Sequence, residues 1–152
     1  METNNREYDF LKFYMAQTWE EMRHIEQLRV NVSSLIMGLA TLISGFIVQQ
    51  NFKAGTGILA VFLVVLGLFG AIMTRKLYQL HQSDQKRLDY WHRYIQECIP
   101  GSKVIEYRDK ADNEHKYQFP FLANMRHNHF WFVLHLLISI GGLVMLGLIL
   151  FS

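Results

Sequence analysis

Three long runs without a charged residue constrain this chain more than any other feature. They are residues 30–48, 57–74 and 130–151, which contain 19, 18 and 22 residues. A helix needs about 20 apolar residues to cross a hydrocarbon core roughly 30 Å thick, because it rises 1.5 Å per residue. Backbone amides find no water in lipid, so runs of this length are expected to be helical. The sequence predicts an all-α membrane protein with three transmembrane helices.

The charged residues all lie outside these runs, and the basic ones are unevenly distributed. Of the 15 Lys and Arg residues, ten lie in segment 75–129, four in segment 1–29 and one in segment 49–56. Lys and Arg accumulate on the cytoplasmic side of membrane proteins. The distribution therefore predicts a multi-pass membrane protein with the N-terminus and segment 75–129 in the cytoplasm and the C-terminus outside.

Two amphipathic helices are predicted to extend the first two spans into the cytosol as a stalk. Apolar positions recur at spacings of three and four from Tyr8 to Ile25, and again from Leu77 to Cys98. The connection between the first two spans is short, so these spans should be antiparallel and their extensions should pack together. We expect a cytosolic helix in residues 1–29 and a second one at the start of segment 75–129.

A small β-hairpin is predicted before the third span. Residues 104–108 and 115–119 are rich in β-branched and aromatic side chains, and they flank the turn-like sequence Ala-Asp-Asn at 111–113. An irregular loop is the alternative. Pro100 and Gly101 separate this region from the preceding helix, because a proline followed by a glycine ends a helix.

A line of polar and small residues follows one face of the first span at spacings of three and four. Its members are Asn31, Ser34, Gly38, Thr41 and Gly45. Such a face lines an aqueous pore in some membrane proteins, and in others it allows close helix packing. The sequence leaves both interpretations open. A weaker line in the second span is interpreted as packing and consists of Ala60, Gly67, Ala71 and Thr74.

His135 lies within the third span, where an ionisable side chain is unfavourable unless it faces protein or water. One interpretation makes it a gate or a pH-sensitive residue of a pore. The other makes it a neutral imidazole that is hydrogen-bonded to a neighbouring helix.

Cationic and aromatic residues alternate in the segment between the second and third spans. This mixture suits the phosphates and bases of a nucleotide or short oligonucleotide. The positive-inside bias explains the same basic excess. The residues that we expect to bind such a signal, here called the basic cluster, are Lys86, Arg87, Tyr90, Arg93, Arg108, Lys110 and Lys116.

Catalytic and metal-binding patterns are weak in this sequence. The lone cysteine, Cys98, excludes an intrachain disulfide and a thiolate zinc cluster. Arg87 and His92 have the R-x-x-x-x-H spacing that resembles the active site of HEPN ribonucleases, but a single such match is weak. We expect a protein that is not an enzyme and that uses no cofactor or metal ion.

The segment Glu20–Arg29 before a serine-rich first span, and the charged segment Arg75–Cys98 after the second span, resemble the SLATT-type membrane effectors of bacterial antiphage defence. Those families typically have two spans, so the third span is a departure. The layout also resembles the membrane effector of the Hailong system, a channel gated by a nucleotide oligomer.

The resemblance implies a homo-oligomeric pore in the lipid bilayer of the bacterial inner membrane, which depolarises that membrane in response to a nucleotide-derived signal. Such a signal would come from a sensor protein. A membrane-anchored scaffold that recruits a cytosolic partner protein is the alternative function.

Overall fold

The computed structural model describes residues 2–99, 101, 103–118 and 127–151. Within these ranges the chain forms α-helices and no β-strand. The helices are α1 (Glu2–Gln49), α2 (Gly57–Cys98), α3 (Val104–Gln118) and α4 (His127–Phe151), with a 3₁₀ turn at Ala54–Thr56 before α2.

Three of these helices, α1, α2 and α4, are long and apolar enough to cross a membrane. The structure therefore agrees with a multi-pass membrane protein. With 48 and 42 residues, α1 and α2 are about 72 and 63 Å long, roughly twice the thickness of a hydrocarbon core. The segments that were predicted to extend the first two spans are helical, and their cytosolic location stays a prediction.

A tight turn joins α1 to α2. Asn51 and Phe52 both adopt the left-handed backbone conformation, with φ of 53° and 55°, which is unfavourable for residues other than glycine. The Phe52 side chain packs against the apolar core beside the turn. The Thr56 hydroxyl donates to the carbonyl oxygen of Lys53 at 2.7 Å. These contacts hold a chain reversal that needs only a few residues.

One compact unit, here called the apolar unit, comprises Gln27–Tyr78 and His127–Ser152. Side chains from α1, α2 and α4 form its core, because each helix turns one apolar face inward. The core residues are Ala40 and Ile47 of α1, Ala60 and Leu63 of α2, and Ile149 of α4.

The second compact unit, here called the charged unit, comprises Met1–Glu26 and Gln79–Arg126. In this unit α1 buries Leu11, Thr18 and Met22, which belong to the helical repeat predicted between Tyr8 and Ile25. From α2 come Leu88 and Asp84, both buried. The burial confirms the helical periodicity that the sequence predicted for both segments.

Antiparallel packing of α1 and α2 in the charged unit is visible in three cross-helix pairs. Near the start of α1, Tyr94 donates to Glu7 at 2.5 Å. The rings of Tyr14 and Trp91 lie 6.0 Å apart further along. At the other end, His81 Nε2 lies 4.0 Å from a carboxylate oxygen of Glu26.

The predicted β-hairpin is wrong, because Val104–Gln118 forms the single helix α3. An isolated two-stranded hairpin is only marginally stable in water. The helix has Glu106 in its first turn and His115 and Lys116 in its last, so these charges complement the helix dipole. Opposite charges also follow each other at i and i+4, as in Asp112 and Lys116. Phe119, the last residue of the predicted second strand, lies outside the described residues.

Candidate functional site

Helices α2 and α4 approach each other closely in the apolar unit, because glycines face the partner backbone. A Cβ atom added to Gly67 would lie 2.5 Å from the Ser139 amide nitrogen. One added to Gly142 would lie 2.8 Å from the Val64 amide nitrogen. The Ser139 hydroxyl donates to the Val64 carbonyl oxygen at 3.2 Å. The predicted packing role of the line in the second span is confirmed, since all four of its residues are buried: Ala60, Gly67, Ala71 and Thr74.

His135 of α4 is completely buried at this contact. Its Nε2 lies 3.0 Å from the Ser33 hydroxyl of α1, which is itself 1% exposed. The ring packs against the backbone at Gly70, where an added Cβ would collide with it. Its Nδ1 has no hydrogen-bond partner among the described residues. We assign the proton to Nε2, because that tautomer avoids a buried N–H group without an acceptor.

This geometry agrees with the interpretation of His135 as an uncharged imidazole that is bonded across helices. Its role as a gate stays a prediction. Sequence reasoning missed Ser33, because it assigned function to the neighbouring Ser34. The sequence contained a pattern that could have identified it, because Ser33 shares one helical face with Ile36, Ala40 and Ile47. All four residues are buried.

The predicted polar line of α1 lies on the opposite side of the helix. At 100° per residue, its centre is about 150° around α1 from the centre of the buried face. Nothing in the described structure would contact a Cβ atom added to Gly38 or Gly45. Packing among the described residues therefore does not use this surface. All five residues are exposed, and we call them the outward stripe: Asn31, Ser34, Gly38, Thr41 and Gly45.

The polar side chains of the outward stripe differ in their hydrogen bonds. Thr41 donates to the Met37 carbonyl oxygen of its own helix at 2.9 Å. Asn31 and Ser34 make no side-chain hydrogen bond within the described structure. Their polar atoms would therefore need water or another chain as partners in a membrane.

A shallow groove of about 710 Å³ runs beside the outward stripe between α1 and α4. Thr41 and Gly45 form one edge, and Leu137 and Gly141 of α4 form the other. Ser44, which the sequence interpretation did not select, adds a hydroxyl group to the groove. The polar and small surface of α1 is thus broader than predicted.

The basic cluster is less free than its composition suggested. Arg87 forms an ion pair with the buried Asp84 at 3.0 Å. Arg108 of α3 bonds to Asp89 of α2 at 2.7 Å and lies 3.4 Å from Asp109. These two arginines therefore have carboxylate partners within the chain.

The remaining members of the basic cluster are exposed and do not surround one pocket. Lys86, Tyr90 and Arg93 lie on the surface of α2. On α3, Lys110 is about 200° around the helix from Arg108, so the two point in opposite directions. A shallow depression on α3 includes Lys110, but it also includes Glu106, Asp109 and Glu114. The described structure contains no single site formed by all seven residues of the basic cluster, and their role in ligand binding stays a prediction.

The geometry of the described residues gives little support to a nuclease site or a metal site. Arg87 and His92 are about 140° apart around α2, so they face different directions. In the part of the chain that the structure describes, no group of three or more His, Cys, Asp and Glu residues is placed to hold a metal ion.

Comparison of the chain with protein families, with curated proteins and with solved structures gives no match.

Proposed function

We propose that this chain is an oligomeric membrane effector that forms a ligand-gated pore and depolarises the bacterial inner membrane. The observation that carries the proposal is the outward stripe of α1. A polar and small face is placed away from the packing contacts of its own chain, on a helix apolar enough to span a membrane.

Within the described part of the apolar unit, the space between the helices offers no alternative path for ions. Ile47, Ala60 and Leu63 fill the space between the helices and are at most 1% exposed. A water-filled path must therefore lie between copies of the chain. Polar side chains such as Asn31 and Ser34 promote association of helices in lipid. A ring of copies would place the stripe against water at its centre, as in channels lined by polar side chains.

Gating by a nucleotide-derived signal is the second part of the proposal. Lys86, Tyr90 and Arg93 are exposed and can bind phosphate and stack on a base without breaking an ion pair. To shift the ratio of open to closed pores from 1:99 to 99:1, a ligand needs about 5.5 kcal/mol of differential binding. Several phosphate contacts, repeated around an oligomer, can supply that energy. Helices α1 and α2 each contribute residues to both the charged unit and the apolar unit.

The cellular setting follows from the basic residues and from the resemblance to antiphage effectors. Ten basic residues in segment 75–129 support a cytoplasmic location for that segment and for the N-terminus. An effector of this kind would respond to a signal from a sensor enzyme and stop growth by collapsing the membrane potential.

A membrane-anchored scaffold is the second candidate function, and exposed aromatic side chains favour it. Phe10 and Phe13 of α1 are 61% and 64% exposed and lie on one face of the helix. A cytosolic partner protein could bury such a face.

A potential-sensitive dye separates the two functions. Cells that express the chain together with its sensor enzyme should depolarise if it forms a pore. Thr41→Leu and Ser34→Leu should reduce the depolarisation, because they replace hydroxyl groups in the stripe. Ile72→Phe, which adds bulk at an exposed apolar position of α2, should leave it unchanged. A steady potential with the chain present in the membrane and the signal present in the cell would favour the scaffold.

A further inference from the structure

A pocket of about 360 Å³ lies between the start of α1 and the end of α2 in the charged unit. Ligand sites typically have volumes of about 300–1,000 Å³, so this pocket suits one small molecule or a single alkyl chain. Most of its wall is aliphatic and consists of Leu11, Met15, Ile95 and Ile99. Three residues with polar ends complete it, namely Tyr8, Lys12 and His92.

The polar groups of the pocket are suited to an anion. Among the residues that the structure describes, its lining includes Lys12 and no carboxylate. Among the described side chains, Lys12 has no ion-pair partner. His92 Nδ1 is buried and has no hydrogen-bond partner in the described part of the chain. A carboxylate beside Lys12 would neutralise its ammonium group.

The aliphatic wall decides what the rest of the ligand is. A nucleobase carries several donors and acceptors along its edge, and these would remain unpaired against Leu11, Met15 and Ile95. An alkyl chain has no such groups and gains from leaving water. We propose that this pocket binds a single-chain anionic amphiphile, of which a fatty acid is the simplest, with its carboxylate at Lys12. This site goes beyond the proposed function and does not depend on the basic cluster.

Photo-crosslinking tests this site directly. The full chain in lipid nanodiscs would be irradiated with a diazirine derivative of laurate, and labelled peptides would be identified by mass spectrometry. We expect labels in segments 8–15 and 92–99. Free laurate should compete with the probe, whereas dodecyltrimethylammonium should not, because it has the same chain length and the opposite charge.

Three variants provide the controls. Lys12→Glu should reduce labelling of the pocket about fivefold, and Ile95→Trp should abolish it by filling the cavity. Lys76→Glu makes the same charge change at an exposed position outside the pocket and should have no effect. Circular dichroism of each variant verifies its helicity, and the exposed position of Lys12 keeps that variant informative if Ile95→Trp unfolds.

Two results would overturn the proposal. One is that Lys12→Glu is labelled as strongly as the wild type and that the cationic amphiphile competes as well as laurate. This result would mean nonselective partitioning. The other is a photoreactive AMP analogue that labels the same segments and resists competition by laurate, which would assign the pocket to a nucleotide. Neither result depends on whether the chain conducts ions.

Discussion

The imidazole Nε2 of His135 and the hydroxyl oxygen of Ser33 lie 3.0 Å apart and join α4 to α1 inside the apolar unit. Ser34, the next residue of α1, is about 100° further around the helix and is exposed. Two consecutive serines thus differ in surroundings while sharing the same chemistry. They form a matched pair for mutation.

Replacing Ser33 should destabilise the helix packing, and replacing Ser34 should not. Ser33→Ala leaves Nε2 of the buried His135 without its partner, and hydrogen bonds between membrane helices contribute about 0.6 kcal/mol on average and up to about 1.7. Unfolding of the purified protein in mixed micelles, followed by circular dichroism, would measure the difference. An equal or larger effect of Ser34→Ala would contradict the observed orientation of α1.

Two glycines of α4 should respond in opposite ways to the same substitution. Gly142→Ala introduces a methyl group 2.8 Å from the backbone of α2 and should cost about 1–3 kcal/mol by overpacking. Gly147→Ala meets open space and should be neutral or slightly stabilising, because alanine favours a helix over glycine. The same unfolding assay compares them, and equal free energies of unfolding would argue against close contact of α2 and α4.

The hydrogen bond from Tyr94 to Glu7 should make stability depend on pH in the alkaline range. This bond, followed by the effect of Cys98, raises the pKa of Tyr94 from 10.0 to about 12. The folded state therefore retains a proton that the unfolded chain releases near pH 10. The stabilisation is complete below pH 10 and is lost as the pH rises towards 12.

Thermal unfolding measured between about pH 9 and pH 12 would test this effect of Tyr94, because phenols ionise near pH 10. Tyr94→Phe should remove part of the alkaline loss of stability. Tyr90→Phe, at an exposed position of the same helix, should retain it. Identical pH profiles for wild type and Tyr94→Phe would exclude a role of this bond.

The ion pair between Arg108 and Asp89 should hold α3 against α2. Arg108→Asp places two carboxylates together and should increase hydrogen exchange in segment 104–118. The double variant Arg108→Asp with Asp89→Arg restores opposite charges and should recover protection. The pair is partly exposed, so we expect an effect of at most about 1 kcal/mol that decreases with salt. No rescue by the double variant would show that another contact positions α3.

The spans and the buried stripe of the charged unit could be predicted because their causes are local. Absence of charge over about 20 residues identifies a span, and the 3.6-residue period identifies which face is buried. Leu11, Thr18 and Met22 are buried as that period requires. These features need no knowledge of where a neighbouring helix lies.

The site could be predicted only in part, since its details depend on neighbouring helices. Ser33 and Ser34 are equivalent in composition, and only the contact with His135 distinguishes them. Likewise, the pairing of Arg108 with Asp89 joins residues far apart in the sequence. The error at α3 had a local origin, because a few β-branched and aromatic residues were given more weight than the charge pairs that stabilise a helix.

Cysteine accessibility during current recording tests the central claim that the outward stripe lines a pore. Cys98 is the only cysteine, so Cys98→Ser gives a background in which Thr41→Cys and Ile72→Cys can be compared in planar bilayers with the signal present. A charged thiol reagent should block the current of Thr41→Cys and leave that of Ile72→Cys unchanged. Equal block of both, or currents that the reagent never alters at Thr41→Cys, would contradict a pore lined by α1.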